Sequence, residues 1–414
     1  MRIAMISEHA SPLAALGGTD AGGQNTHVAE LSAALAEQGH EVRIYTRRDS
    51  PELPTVVPMG ERVQVVHVPV GPAAQIPKDD LLPFMGEFGQ WLIRDWRDGD
   101  WTPTVAHAHF WMSGLAAVTA ARQCRIPVVQ TYHALGSVKR RHQGAADTSP
   151  AQRIGYERTL GRVVDRVVVQ CQDEIRELVR LGVPRSQLSL VPSGVNSERF
   201  SPDGPIMPRD PDRSRILSVS RLVERKGLSD VVQAMRYVPD AECVVIGGPP
   251  AAQLADDPYA RRLRELAEQY NVSDRLKLVG SVPSDDMPRW YRSADMLVAA
   301  PWYEPFGLTP LEAMACGVPV IGTAVGGLND TVVDGLTGDL VPARDPRALG
   351  GALRRLVNDK VRRFAYATAA LDRARQCYSW KRAASQIAAV YAAVAGLRRA
   401  SEVSDASEAS EAVA

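Results

Sequence analysis

Residues 302–338 read WYEPFGLTPLEAMACGVPVIGTAVGGLNDTVVDGLTG. A loop with Pro305 and Gly307 leads into a helix beginning near Thr309 or Pro310. PVIGTA and TGDLV then follow as short apolar strands. Strands that are apolar on both faces belong to a parallel sheet covered by helices. Outward from this unit the same alternation continues: RILSVS, ECVVIGG, LKLVGSV and MLVAAP read as strands, and GLSDVVQAMRYV, YARRLRELAEQY and DPRALGGALRRLVND as helices.

The first half repeats the pattern with RIAMIS, EVRIYT, VQVVHVPV, TVAHAH, PVVQTYH and RVVVQC as strands. Among its helices, THVAELSAALAEQG places Val28, Leu31 and Leu35 on one face and stops at Gly39. Between the halves lies SPDGPIMPRDPDRS at 201–214, with four prolines and no apolar period, which reads as a linker. The expectation is an α/β chain of two parallel-sheet domains, 1–200 and 215–377. A helix over 378–400 packs back on the first domain, and an acidic tail at 401–414 is disordered. Open α/β sheets bind ligands beyond the carboxyl ends of their strands, so two of them frame an interdomain cleft.

The chain has 414 residues, 45% of them apolar, with 48 basic and 48 acidic side chains. A zero sum provides no general field for nucleic acid or an anionic membrane, so any anion is met by a local arrangement. The charge is unevenly placed: no Asp or Glu occurs from Trp101 to Ala146, and all eight histidines precede residue 143. That stretch predicts an anion-facing surface. Five scattered cysteines without a C-x-x-C pair fit a reducing cytosol, and no segment reads as a signal peptide or membrane span.

Gly17, Gly18, Gly22 and Gly23 precede a helix starting near Asn25 or Thr26, an arrangement of bare amides that suits an anion or sugar phosphate. The spacing is not that of a nicotinamide-nucleotide loop. In the 302–338 segment, amides at the helix start could hold a diphosphate, and a carboxylate such as Glu312 could accept hydrogen bonds from ribose hydroxyls. Asp210-Pro-Asp212 lies in the linker with no strand before it and reads as loop, not as a metal motif. His107 and His109 share one face of a strand, but no third metal ligand is identifiable from the sequence, so no metal site is assigned.

The ordered set GGTDAGGQNTHVAEL, AHAHFWMSG, TYHALGSVK, PSGVNSERFSP, SRLVERKG, GGP at 247–249 and EPFGLTPLEAMACGVPVIGTAVGG resembles retaining nucleotide-sugar glycosyltransferases of family 4. It is most similar to the branch that holds the inositol-3-phosphate and sucrose-phosphate enzymes. The resemblance implies the GT-B fold, two Rossmann-like domains across a cleft. It implies that Arg221 and Lys226 contact the donor diphosphate, with Gly23 and the amides of Gly307, Leu308 and Thr309 beside it and Phe306 in the same loop. Glu312 takes the ribose hydroxyls, Glu304 the donor sugar, and His133 bonds the sugar from the first domain. No metal or other cofactor and no protein base is expected, because a departing phosphate oxygen takes the acceptor proton.

On the acceptor side the resemblance implies Asn25, Lys78 and Arg153. Phe110 and Ala134 stand where the inositol-phosphate enzymes have hydroxyl side chains. The partners expected are a nucleotide sugar, UDP-linked glucose or N-acetylglucosamine, and a small polyol or sugar phosphate. A lipid-linked or aminocyclitol acceptor, membrane contact through Lys139-Arg140-Arg141, and a homodimer stay open. A nucleotide-sugar 2-epimerase is the alternative of another class; it needs carboxylates in the first-domain cleft, which the acid-free stretch disfavours.

Overall fold

The computed structural model describes residues 1–14 and 22–411, without the side chains of 397–411. Eight strands form the first sheet: β1 (Arg2–Ile6), β2 (Glu41–Arg47), β3 (Val56–Pro58), β4 (Val63–Val68), β5 (Val105–His109), β6 (Val128–Thr131), β7 (Arg166–Val169) and β8 (Leu188–Leu190). Their order is β3-β4-β2-β1-β5-β6-β7-β8, parallel except for β3 against β4. Six parallel strands form the second: β9 (Ser214–Val219), β10 (Ala241–Ile246), β11 (Leu276–Gly280), β12 (Met296–Ala299), β13 (Val320–Thr323) and β14 (Gly338–Val341), ordered β11-β10-β9-β12-β13-β14. This is the GT-B arrangement.

All twelve strands read from apolar runs are present; β3 and β8 are additions of three residues each. Such edge strands are too short to show a period, and Pro58 cannot donate to a ladder. In each sheet the chain runs outward, returns to the centre and runs outward the other way. The reversal falls between β1 and β5 in the first sheet and between β9 and β12 in the second. Crevices open beyond the strand ends at such points.

The helix Trp380–Glu411 returns to the first domain: Trp380, Ala384, Ile387 and Tyr391 are buried there with Val28, Leu31 and Leu35 of the helix Gly23–Glu37. Tyr391 donates or accepts a 2.6 Å bond with His107 Nδ1. This helix continues through 401–411, where a disordered tail was expected. Alanine and glutamate, frequent there, are strong helix formers. Residues 412–414 lie outside the described residues.

The turn carrying Lys226 closes on Gly227, at φ +68°, where a Cβ would collide with the carbonyl oxygen of Ala300. Gly227→Ala is therefore expected to cost about 2 kcal/mol or more, read as a lowered denaturant midpoint at unchanged slope.

Candidate active site

On the first domain the site is built at the ends of β1, β5 and β6. Phe110 and His133, directly beyond β5 and β6, both have left-handed backbones, at φ 78° and 60°. Bulky residues hold such angles only where their surroundings impose them, and such strain gathers at functional sites. His133 Nε2 lies 2.9 Å from His109 Nδ1, and the two rings stack. Burial, followed by the neighbouring histidines, holds the His133 ring well below the usual histidine range, so it is neutral at pH 7. Glu8, His9 and Phe110 adjoin: His9 Nδ1 is 2.8 Å from Glu8 Oε1, and its ring meets Phe110 edge-on.

On the second domain a small pocket sits at the reversal between β9 and β12, lined by Ser218, Ser220, Ala300, Lys226, Glu304 and Thr309 among others. Lys226 Nζ donates to Glu304 Oε2 at 2.5 Å. Burial pushes the Glu304 carboxyl up, but Lys226, then Arg225 and Arg221, outweigh it and hold it below its ordinary value. Burial lowers the Lys226 ammonium despite Glu304, with Arg225 and Arg221 adding repulsion. The result is an ion pair crowded by two further cations, with a surplus of positive charge at the cavity.

Gly307, at φ 96°, starts the helix Leu308–Ala315 and leaves its first amides without a side-chain cap. Four residues into the helix, Glu312 accepts a 2.6 Å bond from Tyr291. Burial pushes its carboxyl up to about 7, against the opposing pulls of Tyr291 and Arg199. Phe306 turns inward: it is buried in the core beside Tyr378, so only its backbone belongs to the site.

The two halves face a cleft bordered by His133, Ala134 and Glu174 on one side and Tyr303, Glu304 and Gly326 on the other. Gly23 lies across from Leu308, whose Cδ1 would stand 3.5 Å from an added Cβ. Gln143 Nε2 donates to Tyr303 Oη at 2.7 Å, and the amide of Gln172 to Asp330 at 2.6 Å, tying the domains together. Gly17 and Gly18 lie outside the described residues.

The expected acceptor residues are more tightly engaged than their sequence suggests. Arg153 is buried; it donates to Glu157 at 2.8 Å, to Ser149 at 3.1 Å and to the Ala134 carbonyl at 2.7 Å, under the Phe110 ring. Asn25 is also buried, its amide bonded to the Ser11 carbonyl and its Oδ1 to the Gly22 amide. Lys78 is half-buried in the short turn Lys78–Asp80.

The acid-free stretch does not produce an acid-free wall. Lys139 pairs with Asp147 at 3.0 Å and Asp79 at 3.5 Å, Arg140 lies 3.9 Å from Asp147, and Arg141 binds Glu177 at 2.7 Å. The helix Gln172–Arg180 also brings Asp173, Glu174 and Glu177 to the cleft. The expectation of an anion-facing surface, and the case against an epimerase built on it, both fail for this reason. Charge absent from a segment returned through the fold.

Sequence reading also missed Tyr303, Glu174 and His27. His107, paired with His109 by its spacing, instead bonds Tyr391 and Thr131, while His109 gathers with His27 and His133. Asp210 caps the amide of Asp212 in a local turn, as a loop pair does. No helix among the described residues is long and apolar enough to cross a membrane.

A two-domain GT-B scaffold with a cation-rich cavity at the second sheet's reversal and a strained histidine beyond β6 of the first defines a glycosyltransferase that uses a nucleotide sugar. The model described as Glycosyltransferase Family 4 matches residues 21–199, and that described as Glycosyl transferases group 1 matches 205–373. The D-inositol 3-phosphate glycosyltransferase of Xylanimonas cellulosilytica is 36% identical over 94% of this chain and 96% of its own. D-inositol 3-phosphate glycosyltransferase 1 of Catenulispora acidiphila is 34% identical over 94% and 95%. The solved sucrose-phosphate synthase of Thermosynechococcus elongatus superposes with a TM-score of 0.85 at 31% identity, over 94% of this chain and 98% of that one. The chain belongs to the family-4 glycosyltransferases.

Proposed function

We propose that the protein is a retaining, metal-independent hexosyltransferase of the cytosol. It moves glucose or N-acetylglucosamine from a UDP-linked donor to a small polyol or sugar phosphate. The observation that carries this reading is the Lys226–Glu304 pair at the β9/β12 reversal, on the cleft that His133 borders from the other domain.

In this reading Lys226 and Arg221 bind the donor diphosphate, aided by the amides of Gly307, Leu308 and Thr309. Glu304 fixes the Lys226 ammonium and accepts from the sugar hydroxyls, and His133 bonds the sugar from the opposite side. The bond from the sugar C1 to the β-phosphate oxygen breaks as the acceptor oxygen bonds C1 on the same face. The acceptor proton passes to that phosphate oxygen, and the cations stabilise the charge that grows on the diphosphate. A neutral His133 suits this role, since a charged ring would favour phosphate over hydroxyl.

Glu312 is assigned to the ribose hydroxyls. Its carboxyl titrates higher in the fold than in the unfolded chain, so its contribution to stability is complete below the unfolded value and is lost as pH rises through about 7. Donor recognition runs the other way, because hydroxyls donate to a carboxylate. UDP affinity by calorimetry is expected to strengthen between about pH 6 and pH 8, and Glu312→Gln to flatten that dependence.

The names of the two inositol 3-phosphate relatives support a phosphorylated polyol acceptor, with Lys78 as its cation. The pairing of Lys139, Arg141 and Arg153 with carboxylates favours a second reading, a neutral or amino-bearing polyol. Nucleoside diphosphate release, with UDP-, GDP- and ADP-linked glucose and N-acetylglucosamine screened against inositol, inositol phosphates, an aminocyclitol and hexose phosphates, decides between them. Release with none of these acceptors would overturn the proposed substrate class.

A further inference from the structure

Beneath the cleft, His27, His109 and His133 each offer one ring nitrogen, and these nitrogens lie within 4.8 Å of one another. They come from three separate elements: the helix Gly23–Glu37, the last residue of β5 and the turn after β6. His27 is 5% exposed, and its Nε2 has no hydrogen-bond partner. Its Nδ1 is held by Ser193 Oγ at 2.7 Å and Gln170 Nε2 at 3.1 Å, contacts that aim the ring. Buried polar atoms are seldom left without a partner.

His109 Nδ1 and His133 Nε2 already stand 2.9 Å apart, and Met5 Sδ lies 3.2 Å from His109 Nε2. Three imidazoles with a fourth position open to solvent are a ligand set for zinc, at Zn–N distances of about 2.0–2.1 Å. Half-buried His133 borders the cleft, which gives a cation and water a route to the cluster. Ser193 Oγ, 2.7 Å from His27 Nδ1, can accept that ring N–H and so act as the outer partner that such a ligand needs.

We propose that His27, His109 and His133 form a site for a divalent transition-metal cation of the Zn²⁺ class, and that filling it silences transfer by taking the His133 nitrogen. The silencing rests on the donor-sugar role assigned to His133; the binding does not.

The test is titration of the full chain with Co²⁺, read by visible absorption. The expected result is a band of tetrahedral nitrogen ligation saturating at one equivalent and displaced by Zn²⁺, with Zn²⁺ inhibiting turnover over the same range. His27→Gln is expected to abolish the band and the inhibition while turnover persists. Ser193→Ala, which removes the hydroxyl shared by His27 Nδ1 and Gln170 Nε2, is expected to weaken Co²⁺ binding about tenfold. No band at a tenfold excess of Co²⁺, or a band unchanged in both variants, would overturn the site. A normal band with unimpaired turnover would overturn the silencing and count against the role of His133. A band in a protein that turns over no nucleotide sugar would leave the site standing and sink the functional reading instead.

Discussion

Lys226→Ala lowers kcat/KM for nucleotide-sugar turnover about a thousandfold, roughly 4 kcal/mol of transition-state stabilisation. Two losses combine. The ammonium no longer meets the charge that builds on the departing diphosphate, and Glu304, held 2.5 Å from it, is left half-buried without its cation. Arg221 and Arg225 remain nearby, and their charge is felt at Glu304, so donor binding falls less than kcat. Lys226→Arg restores little, because a planar fork does not reproduce a compact charge between Glu304 and a phosphate. Steady-state kinetics and calorimetry with UDP separate the two effects. A fall in UDP binding equal to the fall in kcat/KM, with kcat unchanged, would mean that Lys226 contributes uniform binding only.

His133→Asn lowers kcat/KM about a hundredfold with little change in thermal stability. The site demands a left-handed backbone at φ 60°, which asparagine tolerates better than other side chains do. The fold is therefore kept while the ring nitrogen at the sugar is removed. Loss of one well-placed polar contact to the reacting sugar is worth about 2–3 kcal/mol in the transition state. The comparison that isolates the role is the acceptor-independent hydrolysis of donor, which should fall in parallel with transfer. A variant with full turnover would remove His133 from the site.

The sequence made the strands legible because a parallel strand buried on both faces is a run of apolar residues, as in VAHAH and AECVVI. The segments proposed for the donor were legible for a related reason: Lys226, Gly227, Glu304 and Gly307 sit in two short turns whose local geometry is set by neighbouring residues. What stayed hidden arises from long-range approach. His27 comes to His109 across 82 positions and shares no spacing rule with it. The carboxylates Asp79, Asp147 and Glu177 reach a basic segment from outside it, so a count of charge along the chain misjudged charge in space. Arg153 was expected to bind the acceptor, yet its partners, Glu157 one helical turn away and the Ala134 carbonyl, emerge only in the fold. Phe306 lies in a motif whose glycines suggest exposure, but its ring completes the core under Tyr378.

The central claim is transfer on one face of the donor sugar, driven by a diphosphate held at Lys226. The most direct measurement is the anomeric proton coupling of the first product formed from an α-linked UDP-sugar and the acceptor that releases UDP, followed by NMR before any mutarotation. An α-linked product is the result predicted here. A β-linked product would contradict it, because inversion requires a base opposite the leaving group.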